Sequence, residues 1–153
     1  MTWDAAFLVA NALAGVAWAP LLFAPRSRLT AAWVATPLGP LAFALVYGAL
    51  CGVMWLGEGG GDMGSLDGLR EGFEQDPILL LAWVHYLSFD LFVGMWIARD
   101  RARLGLSPWP VAPCLLLTLM LGPVGLALYL GLRWATRRTL RFEAHAPQDD
   151  DAG

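Results

Sequence analysis

One apolar stretch of this sequence, Leu81-Ala-Trp-Val-His-Tyr-Leu-Ser-Phe-Asp90, carries four groups able to do chemistry: His85, Tyr86, Ser88 and Asp90. The flanking residues are apolar enough to place them at membrane depth, where a charged carboxylate costs several kcal/mol and rarely stands by accident. Such surroundings favour the uncharged forms, an acid that can donate a proton and an imidazole that can accept one. That pair is the equipment of general acid–base catalysis. Residues five apart on a helix diverge by about 140° and by about 7.5 Å along the axis. His85 and Asp90 therefore do not bond each other directly; they flank a ligand, or each bonds a different neighbouring helix. Both are expected to point into the protein, because lipid offers their polar atoms no partner. Asn11, Tyr47 and Thr118, each inside another apolar stretch, complete the candidate pocket, with Asn11 or Tyr47 expected to meet Asp90. Buried polar side chains also serve as interhelical glue, and for Asn11 that is the plainer reading.

Other chemistries fail on composition. The two histidines cannot furnish a multi-histidine iron site, and His145 sits in a polar tail, which leaves His85 without a partner for haem. Two cysteines, Cys51 and Cys114, cannot build a structural zinc site and read as small buried hydrophobes. No Walker-type phosphate loop is present. A net charge of −3 and a pI near 5.2 give no footprint for nucleic acid.

The elements that must position these groups are membrane helices. Of 153 residues, 58% are hydrophobic and 15% charged, with a mean hydropathy of +0.55. Four apolar stretches, about 4–24, 31–57, 78–98 and 111–132, each approach or exceed the roughly 20 residues that span a bilayer. The eight tryptophans fall two to a stretch, and seven stand near a stretch end, where an indole prefers the interface. The fold expected is an all-α integral membrane four-helix bundle over residues 1–135, followed by a polar, disordered tail over 136–153. Four crossings would put both termini on one side. Pro37 and Pro40 predict a kink in the second helix, and Pro123 one in the fourth. Gly48-Ala-Leu-Cys-Gly52 is a GxxxG pattern, read first as a contact inside the bundle and otherwise as a homodimer seam. Residues 65–73 predict a short amphipathic helix on the interface, and Pro77 suits the start of the third span. All ten basic residues are arginine, and four crossings split them five and five, so the positive-inside rule returns a tie. The first helix taken alone puts the N-terminus outside.

Trp83-Val-His-Tyr-Leu-Ser-Phe-Asp90-Leu-Phe, then Asp100, Pro113-Cys-Leu-Leu and Gly122-Pro-Val-Gly125 resemble the abscisic-acid-deficient-4-like family, which includes the plant plastid protein required for neoxanthin formation. Ala24-Pro25-Arg26, Leu29-Thr30 and Ser65-Leu with Phe73 agree, so the resemblance covers about residues 20–132. It departs at Met95, where the plant members carry Arg. The resemblance implies conversion of the epoxide violaxanthin to the allenic alcohol neoxanthin, an isomerisation that requires no metal, nucleotide or redox cofactor. An acid must protonate the epoxide oxygen while a base removes a proton from carbon. On this reading Asp90 is the acid and His85 the base or relay, with membrane lipid and a carotenoid or other apolar molecule as partners. The alternative is a non-catalytic membrane protein that holds an apolar ligand or scaffolds pathway enzymes. An oligomeric proton-coupled transporter is a third reading, disfavoured because no internal repeat is visible.

Overall fold

The computed structural model describes residues 2–56, 62 and 64–140, so His145 and the acidic end of the tail lie outside it. Among the described residues the chain is all-helical, with seven helices and no strand.

Helix α1 (Trp3–Phe23) is capped by Thr2, whose hydroxyl oxygen accepts from the Ala5 amide at 3.3 Å. Its buried stripe of Ala10, Ala14, Ala17, Trp18 and Leu21 recurs at helical spacing, and small residues there let another backbone approach. After a turn, Ser27 caps α2 (Arg28–Val34), and the Thr30 hydroxyl donates back to the Ala24 carbonyl at 2.7 Å. Pro37 cannot continue a helix, so α2 and α3 (Leu38–Leu56) meet at a 47° bend, which is the break that the prolines predict. Ser65 caps α4 (Leu66–Phe73), the short amphipathic helix expected there. Helix α5 (Asp76–Arg103) starts with proline in its first turn and runs through the centre of the molecule, packed by every other helix. Gly94 on α5 lies under the Trp18 indole, where any side chain would collide with the ring.

The fourth apolar stretch departs most from expectation. It is not one kinked helix over 111–132 but two, α6 (Pro108–Leu121) and α7 (Pro123–Arg137), meeting at Gly122. Gly122 has φ +28° and ψ −87°, a conformation L side chains rarely adopt, and Pro123 then opens α7 at its first position. The chain folds back on itself there. Gly125 lies directly on the Thr118 backbone, and a guanidinium nitrogen of Arg137 at the end of α7 donates to the Gly105 carbonyl just before α6 (3.3 Å). Helices α6 and α7 are therefore an antiparallel hairpin whose open end lies beside the C-terminal end of α5. Part of the polar tail, 136–137, is helical.

Two contacts fix the ends of the molecule. Trp3, Asp4 and Phe7 line a shallow pocket with Asp76 and Leu79, while Arg101 donates to the Pro25 carbonyl at 2.7 Å. The start of α1 and the end of α7 consequently lie at opposite ends, not together as four crossings would require. Helices α1 and α5 are long and apolar enough to cross a membrane, and the bent α2–α3 pair makes up to a third such span. Leu8, Val16, Leu45, Phe89 and Leu116 face outward, as lipid contact permits. Gly48 and Gly52 also face outward, with no described residue within 4 Å of where a side chain would begin. Among the described residues the GxxxG pattern is thus not a contact inside the fold, because α3 turns another face toward α5.

Candidate functional site

Asp90 lies about midway along α5 and is 7% exposed. The hairpin tip covers it: a methyl built on Gly122 would stand 2.5 Å from Asp90 Oδ1. Only glycine, lacking a side chain, brings the backbone this close. Among the described residues Asp90 Oδ2 is buried with no close hydrogen bond, and the Tyr86 hydroxyl is the side chain that approaches the carboxyl. A carboxyl oxygen so poorly satisfied in an apolar interior is costly and calls for a chemical or ligand-binding reason. One turn earlier on the same face of α5, the Tyr86 hydroxyl donates to the Met120 carbonyl at 2.9 Å. That carbonyl belongs to the last turn of α6, which the fold-back leaves without helical partners. The Tyr86 oxygen also faces the Asp90 carboxyl, so it can accept a proton that Asp90 donates.

The other expected residues are not gathered here. His85 is exposed on the outer surface, with its ring 5.5 Å from Tyr47 and 4.6 Å from Phe89 (centroid to centroid). It does not point into the protein, because the turn of the helix that buries Asp90 under the hairpin carries His85 round toward α3. Its polar atoms rest among aromatic rings rather than beside Asp90. Tyr47 is part of that outer cluster. Asn11 donates to the Phe7 carbonyl at 2.7 Å and accepts from the Trp83 indole at 3.3 Å, which is the glue role. Neither Asn11 nor Tyr47 meets Asp90; the hairpin does. The Ser88 hydroxyl donates to the Pro40 carbonyl in the first turn of α3 at 3.4 Å, which ties α5 to α3. Thr118 is fully buried, donates to the Cys114 carbonyl at 2.8 Å and packs on Gly125 within the hairpin. Met95 is buried beside Pro37 and Pro40 at the α2–α3 break.

A second polar cluster escaped the sequence reading. The Tyr129 hydroxyl donates to Asp100 Oδ2 at 2.6 Å, Arg133 Nε lies 3.4 Å from the same oxygen, and Trp96 meets Tyr129 edge-on. All of Asp100, Tyr129 and Arg133 are buried. Tyr129 and Arg133 are four apart and share one face of α7, which is the signal available in the sequence. This cluster clamps α7 to α5. Among the described residues no group of three or more His, Cys, Asp or Glu side chains could hold a metal ion.

An apolar groove of about 330 Å³ opens between α1 and the α2–α3 pair, lined by Leu13, Val16, Trp33, Phe43 and Val46 among others. The Trp33 indole donates to the Ala17 carbonyl at 3.1 Å and braces one wall. Asp90 does not line this groove.

A family profile described as ABA DEFICIENT 4-like matches residues 5–129, most of the chain and all of the core just described. The chain belongs to the ABA DEFICIENT 4-like family. No curated protein and no solved structure matches it. The matched region of this family member holds Asp90, Tyr86, the Gly122 turn and Asp100 together.

Proposed function

We propose that this multi-pass membrane protein acts on a xanthophyll or related oxygenated isoprenoid, as a cofactor-independent isomerase whose acid is Asp90. Family membership supports the substrate class. The buried carboxyl of Asp90, with only the Tyr86 hydroxyl near it, carries the chemical reading. Opening an epoxide to an allenic alcohol redistributes atoms already present: Asp90 gives its proton to the oxygen, the ring C–O bond breaks, and the proton leaving the neighbouring carbon passes to the Asp90 carboxylate so formed, directly or by way of Tyr86. A protonated carboxyl shielded from water suits the first step. Tyr86 keeps the hairpin tip against Asp90 and offers an oxygen through which a proton can pass. His85, on the outer face, has no place in this pair.

A second reading rests on the apolar groove, which suits a protein that holds a polyene without changing it. Expression in a host that accumulates violaxanthin separates the two. The enzyme reading expects a new pigment of unchanged mass. Violaxanthin that co-purifies unaltered, with no new isomer in the cells, supports the holding reading.

A further inference from the structure

We propose that α6 and α7 form a re-entrant hairpin that enters and leaves the membrane through the arginine-bearing end, so that the chain crosses three times with that end on the cytoplasmic side and its N-terminus outside. Length is the first ground. The 14 residues of α6 and the 15 of α7 measure only about 21 and 22 Å at 1.5 Å per residue, short of the roughly 30 Å hydrocarbon core. Depth agrees independently. The tip at Gly122 packs on Asp90, which is about 20 Å along α5 from Arg103. Backbone outside regular helix is tolerated at that depth only when protein covers it. Gly122 is buried, and Tyr86 satisfies the Met120 carbonyl. Trp109 and Trp134, 79% and 51% exposed, stand together at the open end of the hairpin, where indoles favour the interface.

Charge is the second and separate ground. Arg26 and Arg28 follow α1, and Arg99, Arg101 and Arg103 end α5. Because α7 folds back, Arg133, Arg137 and Arg138 join them at the same end, where Asp100 is the one acid among the described residues. The opposite end carries Arg70 with Asp4, Asp62 and Asp67, and also Glu71, Glu74 and Asp76. Four full crossings would divide the nine described arginines five against four. The hairpin divides the same nine eight against one, and the positive-inside rule then assigns the arginine end to the cytoplasm. Anionic headgroups on that leaflet attract the same cluster.

Single thiols test this in a bacterial inner membrane. In the full chain with Cys51→Ala and Cys114→Ala, the exposed sites Glu71→Cys, Ser107→Cys and Ala135→Cys are each probed with a membrane-impermeant maleimide. Glu71→Cys should label on intact spheroplasts, and Ser107→Cys and Ala135→Cys only after the membrane is opened. A green fluorescent protein fused after Gly153 should fluoresce, as it does only inside, without requiring any substitution. Ser107→Cys and Ala135→Cys reacting from opposite sides would overturn the hairpin. Labelling of both on intact spheroplasts, or a dark fluorescent fusion with an active alkaline phosphatase fusion at the same point, would overturn the orientation.

Discussion

Gly122 and Asp90 are a matched pair: one carries no side chain so that the other can be covered. A methyl at 122 would meet Asp90 Oδ1 at 2.5 Å and would also hold a side chain at φ +28°. Gly122→Ala should therefore cost about 1–3 kcal/mol, the range for strained backbone positions. Thermal unfolding in detergent measures it. The steric share should largely disappear when Gly122→Ala is made in an Asp90→Ala background, whereas purely backbone strain would persist. Asp90 itself was legible in the sequence, because a carboxylate inside an apolar run has few bland explanations. Its partner was not. Polarity points to Asn11 and Tyr47 on the first and second helices, while the group that covers Asp90 is a glycine, which polarity does not mark. His85 failed for a related reason: helical phase separates it from Asp90, but the sequence does not say which of the two faces inward.

At the scale of elements, the α5–α7 clamp of Asp100, Tyr129 and Arg133 holds the hairpin in place. Tyr129→Phe keeps the ring against Trp96 but removes the hydroxyl from Asp100. A loss of about 0.6–2 kcal/mol is expected, spanning the averages for membrane and charged hydrogen bonds. Unfolding in detergent, together with faster proteolysis near residue 137, checks it; unchanged stability would make the 2.6 Å bond incidental. The helices around Asp90 were largely readable, since apolar length, Ser and Thr caps and Pro37 act locally. The hairpin was not. Hydropathy over 111–132 measures apolar length but not direction, and a chain that folds back at Gly122 presents as many apolar residues as one straight helix. Trp109 and Trp134 do not separate the two, because a tryptophan at each end of the stretch fits either course of the chain. Gly122-Pro123 was the signal. Read as a kink in a helix, it is instead a stop and a restart.

For the whole molecule, α5 serves as an axle that bears Asp90, with α1 and α2–α3 on one side and the hairpin on another. Large apolar side chains face outward, Asp90 is the poorly satisfied carboxyl among the described core residues, and an apolar groove lies a helix away. The all-helical class and the family were legible because both rest on long stretches of sequence, whereas the proposed reaction rests on a single side chain. An enzyme and a holding protein differ at that side chain. Asp90→Asn keeps shape and hydrogen-bonding capacity but has no proton to transfer. The most direct measurement therefore compares purified wild type and Asp90→Asn for two quantities at once, violaxanthin bound and isomer formed. The account predicts that binding is retained while the rate falls by about 10²–10⁴-fold, the usual size of an acid–base contribution. Isomer formed by Asp90→Asn at the wild-type rate would contradict it.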